Sequence, residues 1–333
     1  MQLFGRWTAP ALLALATTLA TPAGADVLRF SHTDNPGGSR QAAAELFAQK
    51  VEEYTDGRHT VRIYPSGQLA NDPKAVEQLQ LGGLDFTVTA PGTYAQHQTT
   101  LNITTMPYLV DTYEQGWDFY DNSEWLQGEF AKLPEKGVRI LATWEAGFRS
   151  FTTKGELASP ADASGKKIRV YPNDMIRWTM EAIGFQTVIL PIPEVYLGIQ
   201  QGTVWGQENP IDTIYSLRFY EVAPFITLTR HVYSPLLLSV AESTWEKLSE
   251  ADREAVSRAA REAADFSRQT VRAAIDQQLA DMTAKGATVT TPDVGPFREA
   301  VKPVYDKARE AYGEDVDKVL ANVAAIREAM PAN

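Results

Sequence analysis

The chain has 333 residues, 44% hydrophobic and 22% charged, with a formal net charge of -11 and no cysteine. That length carries two domains with a core each, and the acidic balance speaks against a nucleic-acid or anionic-membrane partner, though not against one small bound anion. The missing thiols exclude disulfides, thiol chemistry and a lipid anchor on a cleavage-site cysteine.

The first 25 residues read as a signal peptide. Arg6 is the positive segment, the apolar run begins at Ala11-Leu12-Leu13, and Ala23-Gly24-Ala25 is a cleavage site before Asp26. The run is too short and too broken by Thr and Pro to span a membrane. The expected mature form starts near Asp26, is secreted, carries no membrane anchor and is a monomer.

From there the pattern is strand, helix, strand, helix, strand. Val27–Phe30 is a strand, and Ser39 is a helix N-cap. Ala43, Leu46, Phe47, Val51 and Tyr54 recur at helical spacing, and Gly57 stops that helix. Thr60–Tyr64 is the second strand. Asp72 caps a helix to Leu81 with Pro73 in its first turn, and Asp85–Thr89 is the third strand. Such a succession predicts a parallel sheet.

Val138–Thr143 and Arg149–Thr153 read as strands around Trp144-Glu145-Ala146-Gly147, a crossing point. The first grammar then returns. Lys167–Val170 is a strand, Asp174–Ile183 a helix ended by Gly184, and Gln186–Ile189 a strand; Pro193 starts a helix and Thr203–Gly206 is a strand. Two copies of one plan predict two α/β lobes, with a ligand in the cleft beyond the strand ends. Leu236–Val240 is a further strand. Ser249 and Asp252 resemble a capping box, and the helical stripe runs without Gly or Pro to Lys285. At ~1.5 Å per residue such a helix reaches roughly 50 Å, enough to brace both lobes. Thr288–Thr290 and one or two helices after Pro296 close the chain.

Arg169 lies between Ile168 and Val170 on a short buried strand and needs an anion, because an unpaired buried charge costs several kcal/mol or more. Arg149 is on a neighbouring strand. A guanidinium grips a carboxylate with a planar fork and stays charged. An internal pair with Glu145, Asp174 or Glu208 would serve equally, so these residues leave ligand and ion pair open. Asn209, before Pro210, is either a ligand contact or a turn residue; Asp72 and Glu194 are first explained as helix-terminus residues. His32 ends the first strand, where a cleft would be. Trp144, Tyr215 and Tyr233 could wall it, or could be core. No nucleophile elbow, zinc spacing, phosphate loop or dinucleotide fingerprint is present, so no cofactor, metal or catalytic residue is expected.

At Tyr64-Pro65-Ser66-Gly67-Gln68-Leu69, Gly83-Leu84-Asp85-Phe86, Gly147-Phe148-Arg149, Lys167-Ile168-Arg169-Val170, Glu194-Val195-Tyr196 and Gly206-Gln207-Glu208-Asn209-Pro210 the chain resembles the DctP-type solute-binding proteins of tripartite ATP-independent periplasmic (TRAP) transporters. The likeness runs the length of the mature chain. It implies a periplasmic-binding-protein-like fold, with lobe I at 26–146 plus 235–274 and lobe II at 147–234 plus 275–330, braced by the long helix. It implies Arg169 as clamp on a substrate carboxylate, Arg149 as a second cleft arginine, Asn209 beside them, and Asp72 as a first-lobe contact. Thr33 and Ala90 match positions that are polar in sialic-acid binders, and Ala90 lacks the carboxylate found there. Ile192 stands where an aromatic often stacks, and Trp205 replaces a usual aspartate. Glu145 is either an acceptor for ligand hydroxyls or a partner of Arg149. The implied function is capture of a small organic acid (a hydroxy, sugar or dicarboxylic acid) for delivery to the TRAP membrane subunits. The competing readings are a secreted enzyme on a hydroxy acid, with Glu145 or His32 as acid-base, and a binding protein for a sensor or an ATP-driven permease.

Overall fold

The computed structural model describes residues 26–332; the expected signal peptide and its cleavage site lie outside them. Eleven strands are, in chain order, β1 Asp26–Ser31, β2 His59–Tyr64, β3 Phe86–Thr89, β4 Val138–Trp144, β5 Phe148–Thr153, β6 Lys167–Val170, β7 Gln186–Ile189, β8 Gly206–Pro210, β9 Phe225–Tyr233, β10 Leu236–Ala241 and β11 Thr288–Thr290. They form two sheets, ordered β2-β1-β3-β10-β4 and β11-β9-β5-β8-β6-β7. The repeated plan accounts for the parallel pairs, β1 with β2 and β3, and β6 with β7 and β8. Neither sheet is wholly parallel. β10 runs antiparallel to β3 and β4, and β5 antiparallel to β8 and β9. The cause is connectivity: a strand that crosses from the other sheet enters from the opposite end.

The chain crosses between the sheets at Glu145–Gly147, between β4 and β5, and again at Ser234-Pro235, between β9 and β10. Helix Glu250–Ala284 is the third connection. It packs on helix Ser39–Tyr54 and β4 of one unit, and on helix Ile211–Ser216 and β11 of the other. Ser249 caps it, accepting the Asp252 N–H at 3.1 Å. Phe30, Phe47, Phe86 and Trp144 fill one core under this helix, in edge-on and tilted contacts at 5.1–6.3 Å. Phe151, Ile168, Met175 and Met180 belong to a second core, and Val195, Ile214, Phe219 and Ile226 to a third.

Several expectations shift. The strand expected at Thr203–Gly206 instead begins at Gly206 and takes in Gln207, Glu208 and Asn209. A Cβ at 206 would lie 2.4 Å from the Thr152 carbonyl, so close pairing with β5 starts at the glycine. Asn71, not Asp72, caps helix Asp72–Gln80, accepting the Lys74 N–H at 3.2 Å. Gly38 stands at the cap position before Ser39, whose hydroxyl donates to Asp212 instead. Strand β9 and helices Tyr113–Asn122, Glu124–Phe130 and Ile211–Ser216 are additional to the elements read from the sequence.

Candidate functional site

A cavity with about 720 Å³ of atom-free space, part of it open to solvent, lies where the two sheets face each other. Arg169, Arg149 and Asn209 line it from the second sheet. Asp72 and Arg40 line it from helices that follow strands of the first. Pro73, Pro172, Pro191, Ile189, Ile192 and Leu236 supply apolar wall.

Arg169 is 2% exposed, the second last residue of β6, a central strand between β7 and β8. Its Nε donates to the Leu190 carbonyl at 2.9 Å. Among the described residues it makes no other hydrogen bond and no ion pair. Burial lowers its pKa to about 10, with the charge of Glu208 opposing and that of Arg149 adding to the shift. It remains a cation at neutral pH, with most donors unspent.

Arg149 is spent. From β5 it faces Glu208 of β8: Nη2 meets Oε1 at 2.7 Å and the Glu208 carbonyl at 2.7 Å, and Nε meets Oε2. Its guanidinium also sits 5.1 Å over the Tyr171 ring. Burial alone would raise the Glu208 carboxyl, but the charge of Arg149 holds it at about 2. His231 Nε2 lies 3.2 Å from Glu208, and Nδ1 is 2.8 Å from Thr229 Oγ1. Burial lowers the His231 pKa, so the ring is neutral; Nε2–H donates to the carboxylate, which can only accept, and Nδ1 accepts from the Thr229 hydroxyl.

Asn209 Nδ2 donates to the Gln207 side chain, leaving its carbonyl oxygen and second N–H for the cavity. Asp72, released from capping by Asn71, accepts from Thr33 Oγ1 at 2.9 Å. Burial raises its pKa, opposed first by the charge of Arg40. The Tyr171 hydroxyl, also on the cavity lining, is buried without a partner among the described residues.

Other candidates lie elsewhere. Ala146 lines the cavity, but its neighbour Glu145 turns away, accepting Trp117 Nε1 at 2.6 Å, Tyr233 OH at 3.0 Å and the Ala146 N–H at 3.0 Å. It therefore partners neither Arg149 nor anything in the cavity. Burial raises its carboxyl to about 7 against those donors and the charge of Arg268. Tyr233 is committed to Glu145, and Trp144 is 0% exposed in the core against Phe30. Tyr215 stacks on Tyr220 at 6.2 Å, and its hydroxyl donates to Asp281 at 3.1 Å. His32 donates to Gln41 at 2.8 Å and accepts the Asp34 N–H at 3.2 Å. Burial, then Arg40, lower its pKa to about 4, so it is neutral and spent. Thr33 stands one hydrogen bond behind Asp72. Trp205 packs on Phe185 at 6.4 Å under Lys166, 5.5 Å from its ring, which accounts for an aromatic there.

Arg40, Tyr171, Thr93, Thr213 and Ser234 also line the cavity and went unnoticed in the sequence. Arg40 had a signal: an arginine in the first turn of a helix, where the dipole disfavours a cation.

Among the described residues, no helix is long and apolar enough to cross a membrane. A family model for bacterial extracellular solute-binding proteins, family 7 (DctP), matches residues 30–311. The sialic acid-binding periplasmic protein SiaP of Vibrio cholerae is 31% identical over 313 residues, covering 93% of this chain and 97% of its own. The ectoine-binding periplasmic protein TeaA of Halomonas elongata is 31% identical over 327 residues, with coverage of 96% and 95%. A TRAP periplasmic solute binding protein of a Polaromonas species, solved with D-erythronate bound, matches at TM-score 0.86 and 30% identity over 92% of this chain and 100% of its own. The family consists of substrate-binding proteins rather than enzymes. With its two α/β units, long helix and family match over most of its length, the chain belongs to the DctP family of bacterial extracellular solute-binding proteins.

Proposed function

We propose that this protein captures a small organic acid in the periplasm and hands it to the membrane subunits of a TRAP transporter. Arg169 carries the reading: a buried cation with unspent donors, facing a cavity, is stabilised by an anion that the described residues do not supply. Asn209 borders the carboxylate, Arg149, neutralised by Glu208, adds shape to the wall, and Asp72 reaches in from the other side. Lobe I (26–146 plus 235–274) and lobe II (147–234 plus 275–330) close on the acid, which must bind the closed state more tightly. The protein acts as a monomer and releases the acid unchanged.

Calorimetric titration with straight-chain carboxylic acids of three to six carbons, beside polyols of equal length, tests this. At least one acid is expected to bind with a Kd near micromolar or tighter, about -8 kcal/mol, and no polyol. Mass analysis of acid recovered after long incubation should show no conversion. Binding of polyols alone, or of nothing, sinks the reading.

A further inference from the structure

Arg40 faces the cavity from the first turn of helix Ser39–Tyr54 and is 9% exposed. Its Nη1 donates to Thr33 Oγ1 at 3.1 Å, and Thr33 Oγ1 donates to Asp72 Oδ1 at 2.9 Å. Its Nε is buried with no acceptor among the described residues, and no ion pair engages it there. A cation with donors to spare and a carboxylate with lone pairs to spare are thus joined through one threonine, on the side of the cavity that Arg169 does not occupy.

We propose that Arg40 determines specificity: paired with Asp72 through Thr33, it reads a hydroxyl of the ligand, so the site selects hydroxylated monocarboxylates over dicarboxylates and amino acids of the same length. A hydroxyl donates to Asp72 and accepts from Arg40 at once. A second carboxylate only accepts and meets Asp72 as a like charge. An ammonium only donates and meets Arg40 as a like charge. A methylene leaves both polar groups unpaired in a buried place, which is costly. The inference rests on the organic-acid reading and sharpens it.

The test uses four-carbon acids on the mature protein: D-erythronate, butyrate, succinate and 4-aminobutyrate, each titrated by calorimetry, with weak binders measured by competition. D-Erythronate is expected to bind at least about tenfold tighter than the other three. In Arg40→Gln its affinity should fall about tenfold more than that of butyrate. Succinate or 4-aminobutyrate matching D-erythronate overturns the inference and leaves the organic-acid reading standing. An equal loss for every acid in Arg40→Gln also overturns it, because a merely structural arginine would do that. If Arg40→Gln does not fold, the ranking on the native protein and on Asp72→Asn decides, the latter expected to admit succinate. Failure of all four, and of their three-, five- and six-carbon counterparts, overturns both proposals.

Discussion

Arg149 and Arg169 are both buried in the second sheet and both border the cavity, yet their surroundings are opposite. Arg149 meets two oxygens of Glu208 and its carbonyl, backed by a neutral His231. Arg169 has one backbone carbonyl. The first is a charge the fold has answered. The second is a charge that the described residues leave unanswered. Burial alone does not distinguish architecture from site; the partner count does.

Breaking each arginine should therefore give different failures. Arg149→Met leaves Glu208 buried without its cation and should cost about 3–5 kcal/mol of stability, read by denaturant midpoint. A loss below about 1 kcal/mol would mean that the pair is not what holds β5 to β8. Arg169→Met should leave the apo protein as stable as before, since it removes an uncompensated charge, but weaken acid binding by roughly two orders of magnitude, about 3 kcal/mol. Calorimetry showing near-native affinity would erase the contrast.

Glu145 sharpens the comparison from the acid side. Its carboxyl is raised to about 7, from an ordinary 4.5. In that window the folded state holds more protons than the unfolded one, so stability is full below 4.5 and falls as pH rises to 7. The fall should not exceed about 3 kcal/mol and should flatten in Glu145→Gln, followed by thermal unfolding across that range. Glu208, held at about 2, has the opposite sign: its stabilisation is present above the ordinary 4.5 and lost as pH drops toward 2. Smallest of all, Asn71→Ala should cost about 1 kcal/mol as a lost cap. It should leave affinity nearly intact unless Asp72 swings back to take over the capping bond, which a drop in hydroxy-acid affinity would reveal.

The two-lobed plan was legible because each copy announces itself: alternating strands, a proline at a helix start, a glycine at its end. Arg169 was legible as one charge between two β-branched residues. What escaped depends on contacts distant in sequence. Arg40, in the first turn of a helix, is at most an oddly placed cation in the sequence; that it faces a cavity follows only once helix and cavity are assembled. Asn71 and Asp72 are both good caps, and the sequence does not say which takes the role and which is left for the cavity. Glu145 lies in the right stretch but on the wrong side, since it directly precedes the cavity-lining Ala146 while its own side chain points away. The same limit hid β9, whose ladder with β5 joins residues far apart in the chain.

The interleaving of the sheets has a consequence for how this molecule comes into being. β4 ends at residue 144, but its neighbour in the first sheet is β10, at residues 236–241, made only after the inner strands of the second sheet. As the chain is synthesised from its N-terminus, the first unit lies incomplete while the second is written through its middle. Pairings so distant in sequence also close slowly. A polypeptide that reaches its final shape late stays a pliable thread for longer.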